Sequence, residues 1–287
     1  MDSVHGYVGA ELGLFAQAVN WKRYLQRQLA TFIQGRVLEV GAGIGETTRF
    51  VRTDDCSHWT CLEPDPNLAR QIVLEMQGIS PARADTLTVV VGTVADLAEA
   101  SGYDAVLYID VLEHIENDTF ELQQAARLLK DGGHLIVVSP AHPWLFSPFD
   151  KAIGHYRRYS RRALQELTPQ GLTLRRLRYL DSVGLLASAG NRILLKSRLP
   201  TTRQIAVWDK LMVPLSRFFD VALGYRVGKS VYAVWQRQAP SPPDSSDASV
   251  QHGIPQPFVA AKVGAIDLHQ SRQVGAGEPV AGGRRRK

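Results

Sequence analysis

Val37-Leu38-Glu39-Val40-Gly41-Ala42-Gly43-Ile44-Gly45-Glu46 reads as an apolar strand that runs into a glycine loop and then into the start of a helix. Glycines let the backbone turn tightly and approach a ligand with no Cβ in the way, and the first turn of a helix offers unpaired N–H groups. The spacing is G-x-G-x-G, with Glu46 where the dinucleotide fingerprint G-x-G-x-x-G/A requires a small residue. A pyrophosphate would meet that carboxylate unfavourably at the helix start, whereas a cofactor without phosphate would not.

Outward from this loop, short β-rich runs alternate with helical ones. Residues 36–40, 58–63, 87–91, 105–109 and 135–138 are expected to be strands, and 47–51, 67–76 and 119–130 helices. Strands apolar on both faces, alternating with helices, are the signature of a parallel sheet covered on both sides. Leu174–Leu180 and Ser230–Gln236 add two strands, which makes a seven-stranded α/β sheet of Rossmann-like type. Leu12, Phe15, Val19, Leu25, Leu29 and Phe32 recur at helical spacing, so residues 1–35 are expected to form helices over the cofactor site. The core is expected to span 36–180 and to be completed by a last strand within 229–238. Residues 181–228 read as a helical insertion over the carboxyl edge of the sheet, with Ile205, Trp208, Leu211, Leu215, Phe218 and Ala222 on one stripe and a kink at Pro214. From 239 to 287 Pro, Ser, Asp, Gly and Gln dominate without periodicity, the composition of a disordered tail.

Glu63 ends the second strand ~20 residues beyond the loop, where a carboxylate can accept hydrogen bonds from both ribose hydroxyls; Asp65 is the alternative. VLEVGAGIGETT, CLEPDP, VVVGTVADL, YDAVLYIDVLEHIEND and ARLLKDGGHLIVVSP follow one another between Arg36 and about Val138. In order and spacing they resemble the class I S-adenosylmethionine-dependent methyltransferases. The resemblance implies that Glu39, Gly41, Ala42 and Gly43 surround the amino-acid portion of S-adenosylmethionine, Glu63 and Pro64 its ribose, and Gly92, Thr93 and Val94 its adenine. Asp110 would face the cofactor near the sulfonium. Many relatives carry Asp where this chain has Thr93, so a backbone contact from Val94 is expected at the adenine. The stretches ELGLFAQAVNWKRYL, PWLFSPFDKAIGHYRRYS, WDKLMVPLSRFFD and GYRVGKSVYAVW are similar to a group of bacterial methyltransferases acting on small molecules. That likeness implies that Trp21 and Tyr24 close over the cofactor.

Methyl transfer is an in-line displacement, so the protein must hold a nucleophile in line with the methyl carbon in a dry pocket. An oxygen or protonated nitrogen must also lose a proton, and His114, just beyond the fourth strand, is a candidate base. His155 and Tyr156, in the loop after the fifth strand, are the other candidates, although the arginines that follow also suit the solvated start of a helix. Asp110, Glu113 and His114 form a D-x-x-E-H set similar to a cation-binding cluster of some methyltransferases. No further ligand follows at obvious spacing, and no metal is expected.

The composition narrows the partners. A chain of 287 residues with 45% hydrophobic content supports one sizeable α/β core. The net charge of +5 comes partly from the terminal Arg284-Arg285-Arg286-Lys287, which reads as a solvated tail. Cys56 and Cys61 stand outside any disulfide or zinc spacing, and nothing near the N-terminus reads as a signal peptide, so a cytoplasmic setting is expected. The expected partner is a small-molecule acceptor, aromatic or lipid-linked, and not a nucleic acid, because no N-P-P-Y motif is present. Arg192, Lys196, Arg198, Arg203 and Lys210 make the insertion basic, but their interleaving with Leu and Ile also suits helix packing, so contact with a membrane surface is open without being indicated. The competing readings are a non-catalytic lipid-surface protein on the same fold and an NAD-dependent oxidoreductase, the latter disfavoured by Glu46.

Overall fold

The computed structural model describes residues 10–76, 85–97, 101–190, 200–239 and 265–266. Its sheet is built from β1 (Gly35–Val40), β2 (Cys56–Glu63), β3 (Leu87–Val91), β4 (Tyr103–Ile109), β5 (Leu129–Pro140), β6 (Leu172–Leu180) and β7 (Ser230–Arg237). These are the seven strands expected from sequence. A two-residue strand, β8 (Ala265–Ile266), pairs antiparallel with β3 at one edge; the rest of the expected tail lies outside the described residues.

The strand order is β6-β7-β5-β4-β1-β2-β3-β8. β1 to β5 run parallel, and β7 lies antiparallel between β5 and β6. The order reverses between β1 and β4, and at such a switch point the loops leave in opposite directions and open a crevice at the carboxyl ends of the strands. One face of the sheet packs on α2 (Val19–Leu29), α4 (Pro66–Met76) and the insertion, with Leu25, Trp59, Ile72 and Trp208 in the core. The other packs on α5 (Asp118–Leu128) and, further along the chain, Leu164, with Tyr108, Leu122 and Trp235 buried.

The glycine loop joins β1 to α3 (Glu46–Val51). Gly41, Gly43 and Gly45 all have left-handed backbone, at φ +66°, +60° and +82°. A Cβ on Gly41 would lie 2.8 Å from the methyl groups of Val111, so this turn admits only glycine.

The insertion consists of α8 (Ser182–Gly190), α9 (Thr202–Val207), a π-helical turn (Trp208–Met212) and α10 (Val213–Ala222); earlier in the chain lie α1 (Ala10–Ala16), α6 (Pro148–Ala152) and α7 (Arg161–Glu166). The kink expected at Pro214 takes the form of that π-turn. α10 continues from the π-turn without a break, with Pro214 in its first α-helical turn. Among the described residues no helix is long and apolar enough to cross a membrane.

Three buried carboxylates fasten these pieces. Asp209 accepts from the Trp21 amide at 2.9 Å and from the Asn20 amide and side chain at 3.2 and 3.1 Å. Asp220 accepts from the Tyr24 hydroxyl at 2.8 Å and from the Asp181 and Ser182 amides at 2.7 and 2.9 Å. Asp181, itself at φ +67°, accepts from the Trp208 indole at 2.7 Å and the Ser216 hydroxyl at 2.6 Å. The expected N-terminal cover and the insertion are thereby one unit. Replacing Asp220 by Ala strands three buried donors and is expected to lower stability by ~3 to 5 kcal/mol in urea unfolding, while Phe218→Ser on the outer side of α10 changes it by less than ~0.5 kcal/mol.

Candidate functional site

The crevice opens into a cavity of about 1080 Å³. One wall is the glycine loop, with Glu39, Gly41, Ala42, Gly43, Glu46 and Thr47; Asp110 stands opposite at the end of β4. Trp21, Trp208 and Met212 form an apolar roof, and His114, His155 and Arg158 line the far side. The sequence places these groups far apart, and the switch point brings them together.

Glu39 is buried, and its Oε2 accepts from the Thr48 hydroxyl at 2.5 Å and the Trp59 indole at 3.0 Å. Burial outweighs these two bonds and pushes its carboxyl up to about 7. Glu63 is folded under the loop: its Oε2 accepts from the Gly43 amide at 2.8 Å and its Oε1 from the Asp65 amide at 3.0 Å. Burial raises its carboxyl, and the backbone donors hold it back. Glu63 therefore lies outside the cavity lining, as do Pro64, Gly92, Thr93 and Val94, which follow the carboxyl ends of β2 and β3. Thr93 gives both its amide and its hydroxyl to Asp96, each at 2.8 Å.

Asp110 has a left-handed backbone at φ +54° and opens onto the cavity while enclosed by protein. That enclosure raises its carboxyl, and His155 and Lys229 oppose the shift. Glu113 is fully buried with no hydrogen-bond partner on either oxygen, and burial, with the neighbouring charge of Asp110, pushes its carboxyl well up. His114 packs edge-on against His155 with ring centroids 4.5 Å apart. Burial, and then His155, lower the His114 imidazole to about 4, so it is neutral at pH 7.

His155 has the most defined setting. Its Nδ1 lies 3.0 Å from Asp150 Oδ1, and its Nε2 lies 3.9 Å from Glu113 Oε1. Asp150 also accepts two bonds from the Arg158 guanidinium, at 2.7 and 3.0 Å, and one from the Ser147 hydroxyl at 2.6 Å. Those donors overcome the burial of Asp150 and hold its carboxyl well below the usual range. An ionised carboxylate only accepts, so Nδ1 carries a proton and Nε2 of the neutral ring is the acceptor nitrogen. Glu113, His114 and His155 also offer three ligand atoms within 4.8 Å of one another, a donor set that suits a divalent transition metal. His155, rather than the expected Asp110, is the third donor beside Glu113 and His114, a neighbour that sequence spacing did not reveal.

Two expected residues stand elsewhere. Tyr24 turns away from the cavity because its hydroxyl is committed to Asp220, and Trp21 alone of that pair reaches the roof. Tyr156 is half-exposed beside the Arg157 guanidinium, because its amide pairs with the Glu113 carbonyl and turns the side chain outward. The sequence reading missed Asp150, Lys22 and Lys229. Asp150 could have been found from the S-x-x-D capping pattern of Ser147. Lys22, 3.6 Å from Glu46, and Lys229, 3.8 Å from the centre of the Trp208 ring, carry no local signature.

Residues 38–135 match the family model described as a methyltransferase domain. The demethylmenaquinone methyltransferases of Tropheryma whipplei strains Twist and TW08/27 are each 32% identical over 158 residues, 53% of this chain and 59% of theirs. The chain thus spans less than two thirds of the length of the curated relatives it matches. Among solved structures, the methyltransferase in complex with the Haloferax volcanii Trm112 activator superposes with a TM-score of 0.54 at 16% identity, over 83% of this chain and 99% of that one. The [4+2]-cyclase SpnF superposes at 0.51 with 14% identity, over 76% and 82%. At such identities the likeness speaks for the fold, and the cyclase illustrates that one fold hosts several reactions. Residues 38–135 thus match a methyltransferase-domain model, and the chain around them completes a Rossmann-like α/β fold shared with these solved structures.

Proposed function

We propose that the protein transfers a methyl group from S-adenosylmethionine to an oxygen, nitrogen or carbon nucleophile of a small molecule with a substantial apolar portion, aromatic or lipid-linked. The observation that carries this reading is the single cavity that joins the glycine loop and Asp110 to an oriented imidazole, His155, under an apolar roof. When bound, the cofactor supplies an electrophilic methyl group on a sulfonium.

The residues present fit such a cofactor. A Cβ on Gly43 would meet only the Leu12 methyls, at 3.6 Å, so the loop offers an open backbone surface to a ligand. Glu39 places a carboxylate beside it. Glu63 lies outside the cavity lining, under the loop, and each of its oxygens, engaged by one amide, keeps a second lone pair for a hydroxyl that reaches past the loop. The volume exceeds what one cofactor occupies, leaving room for an acceptor against Trp21, Trp208 and Met212.

His155 is the proton acceptor in this reading. Asp150 fixes its tautomer, and Arg158 and Ser147 keep Asp150 ionised and in place. His114, neutral and packed on His155, restricts the ring's rotation. The roof excludes water, which would otherwise solvate the nucleophile. A second reading rests on the orphaned Glu113 carboxylate: with His114 and His155 it would hold a divalent cation that lowers the pKa of an acceptor hydroxyl. Turnover that is abolished by a chelator and restored by metal favours this second reading; turnover insensitive to chelation favours the free imidazole.

Glu63→Ala is expected to weaken S-adenosylmethionine binding by ~1 to 3 kcal/mol in calorimetry, and unchanged isotherms remove Glu63 from the cofactor site. With labelled methyl donor and a fractionated extract as acceptor source, His155→Asn is expected to lower transfer ~10²- to 10⁴-fold at unaltered cofactor affinity. Equal transfer excludes His155 as the base. His114 titrates at about 4 in the folded protein against an ordinary 6.5, so the unfolded chain binds the extra proton between those values. Its contribution to stability is full above pH 6.5 and is lost as pH falls towards 4. His114→Gln is therefore expected to flatten the decline in urea midpoint over that window, and an identical slope refutes the assignment.

A further inference from the structure

The stretch from α9 through α10 is apolar on both sides. Its buried side mixes Ile205, Trp208 and Val213, packed in the core, with Asp209, Ser216 and Asp220, each spent on hydrogen bonds that fasten the insertion. Its outer side is apolar, with Val207, Leu211, Leu215, Phe218 and Val221 exposed by 46, 58, 45, 72 and 61%. They recur at three- and four-residue spacing and form one continuous stripe. Leu186 of α8, which packs beside α10, is 73% exposed and widens the stripe. A surface of this kind is costly in water and is seldom left without a counterpart.

The charges identify the counterpart. Within 200–228 both acidic residues, Asp209 and Asp220, are buried, and every exposed charged side chain, at Arg203, Lys210, Arg217 and Arg226, is cationic. An apolar stripe rimmed by Lys and Arg only is the arrangement that seats a helix in the interface of an anionic bilayer, its apolar face among the acyl chains and its cations at the headgroups. Val207 and Arg203 belong both to this face and to the cavity lining, so the cavity opens beside the stripe.

We propose that the outer face of α9 and α10 docks on an anionic lipid surface, lying in the headgroup plane with the cavity mouth turned towards the lipid. The docking face stands independently of the reaction proposed above, and a lipid-borne acceptor would reach the cavity without crossing bulk water.

The test is cosedimentation of the full chain with phosphatidylcholine vesicles with and without phosphatidylglycerol, alongside sedimentation velocity without lipid. The expected result is binding to the anionic vesicles that weakens with salt. It should fall at least about tenfold in the double variant Leu215→Ser/Phe218→Ser and in Lys210→Glu/Arg217→Glu, but remain in Leu74→Ser, an exposed position on α4. These side chains are exposed, so circular dichroism should show an unchanged fold. Absence of binding to anionic vesicles, or binding indifferent to both double variants, overturns the proposal. A wild-type dimer that becomes monomeric in Leu215→Ser/Phe218→Ser also overturns it, since the stripe would then be an interface between copies. Vesicle binding without methyl transfer would leave the docking face standing and sink only the reaction.

Discussion

Burying a carboxylate is tolerable only where fixed donors replace water, and in this protein that requirement shapes the half of the molecule that is not sheet. Asp181, Asp209 and Asp220 collect amides and hydroxyls from α2, from the start of α8 and from the insertion itself. Each carboxylate crosses between segments that are remote in sequence, so the cover over the cavity does not depend on apolar contacts alone. The stretch that supplies two of them spends part of its inward side on these carboxylates beside Trp208 and Val213, and further apolar residues are left on its outer side. The roof residues Trp21 and Trp208 owe their positions to the same bonds, since Trp21 gives its amide to Asp209 and Trp208 its indole N–H to Asp181.

Within the cavity a second group of charges divides the labour. Asp150, surrounded by Arg158, Ser147 and His155, stays anionic, whereas Glu113, with no donor on either oxygen, is driven towards its neutral form. Two acids a short distance apart thus present opposite faces to the same imidazole. One orients it, and the other leaves its far nitrogen unclaimed.

The sheet was legible because parallel buried strands are apolar on both faces and helices between them are not, so β1 to β7 were all found, although β5 begins at Leu129, six residues before the expected Leu135. The glycine loop was legible because a G-x-G-x-G turn has few conformations open to it, and Gly41 pressed against Val111 is an instance. The relation of His114 to His155 was not, because it depends on how a loop after β5 folds back over the end of β4. Tyr156 lay beyond reach for the same reason: the loop that buries the His155 imidazole leaves Tyr156 half-exposed, with its amide bonded to the Glu113 carbonyl. The sequence put Ile205, Trp208, Leu211, Leu215, Phe218 and Ala222 on one stripe, but the structure divides them: Ile205 and Trp208 are buried, whereas Leu211, Leu215, Phe218 and Ala222 are exposed, because Asp209, Ser216 and Asp220 share the inward side.

β7 lies between β5 and β6, and among the described residues β6 has no other neighbour in the sheet. As the chain leaves the ribosome, β6 must wait for some fifty residues before anything can bond to it, a long-range closure of the kind that slows folding. Lys229 and Ser230, at the start of that late strand, complete the cavity wall. A nascent chain can therefore assemble its glycine loop early, yet its chamber lacks this wall until β7 has been synthesised and threaded into place.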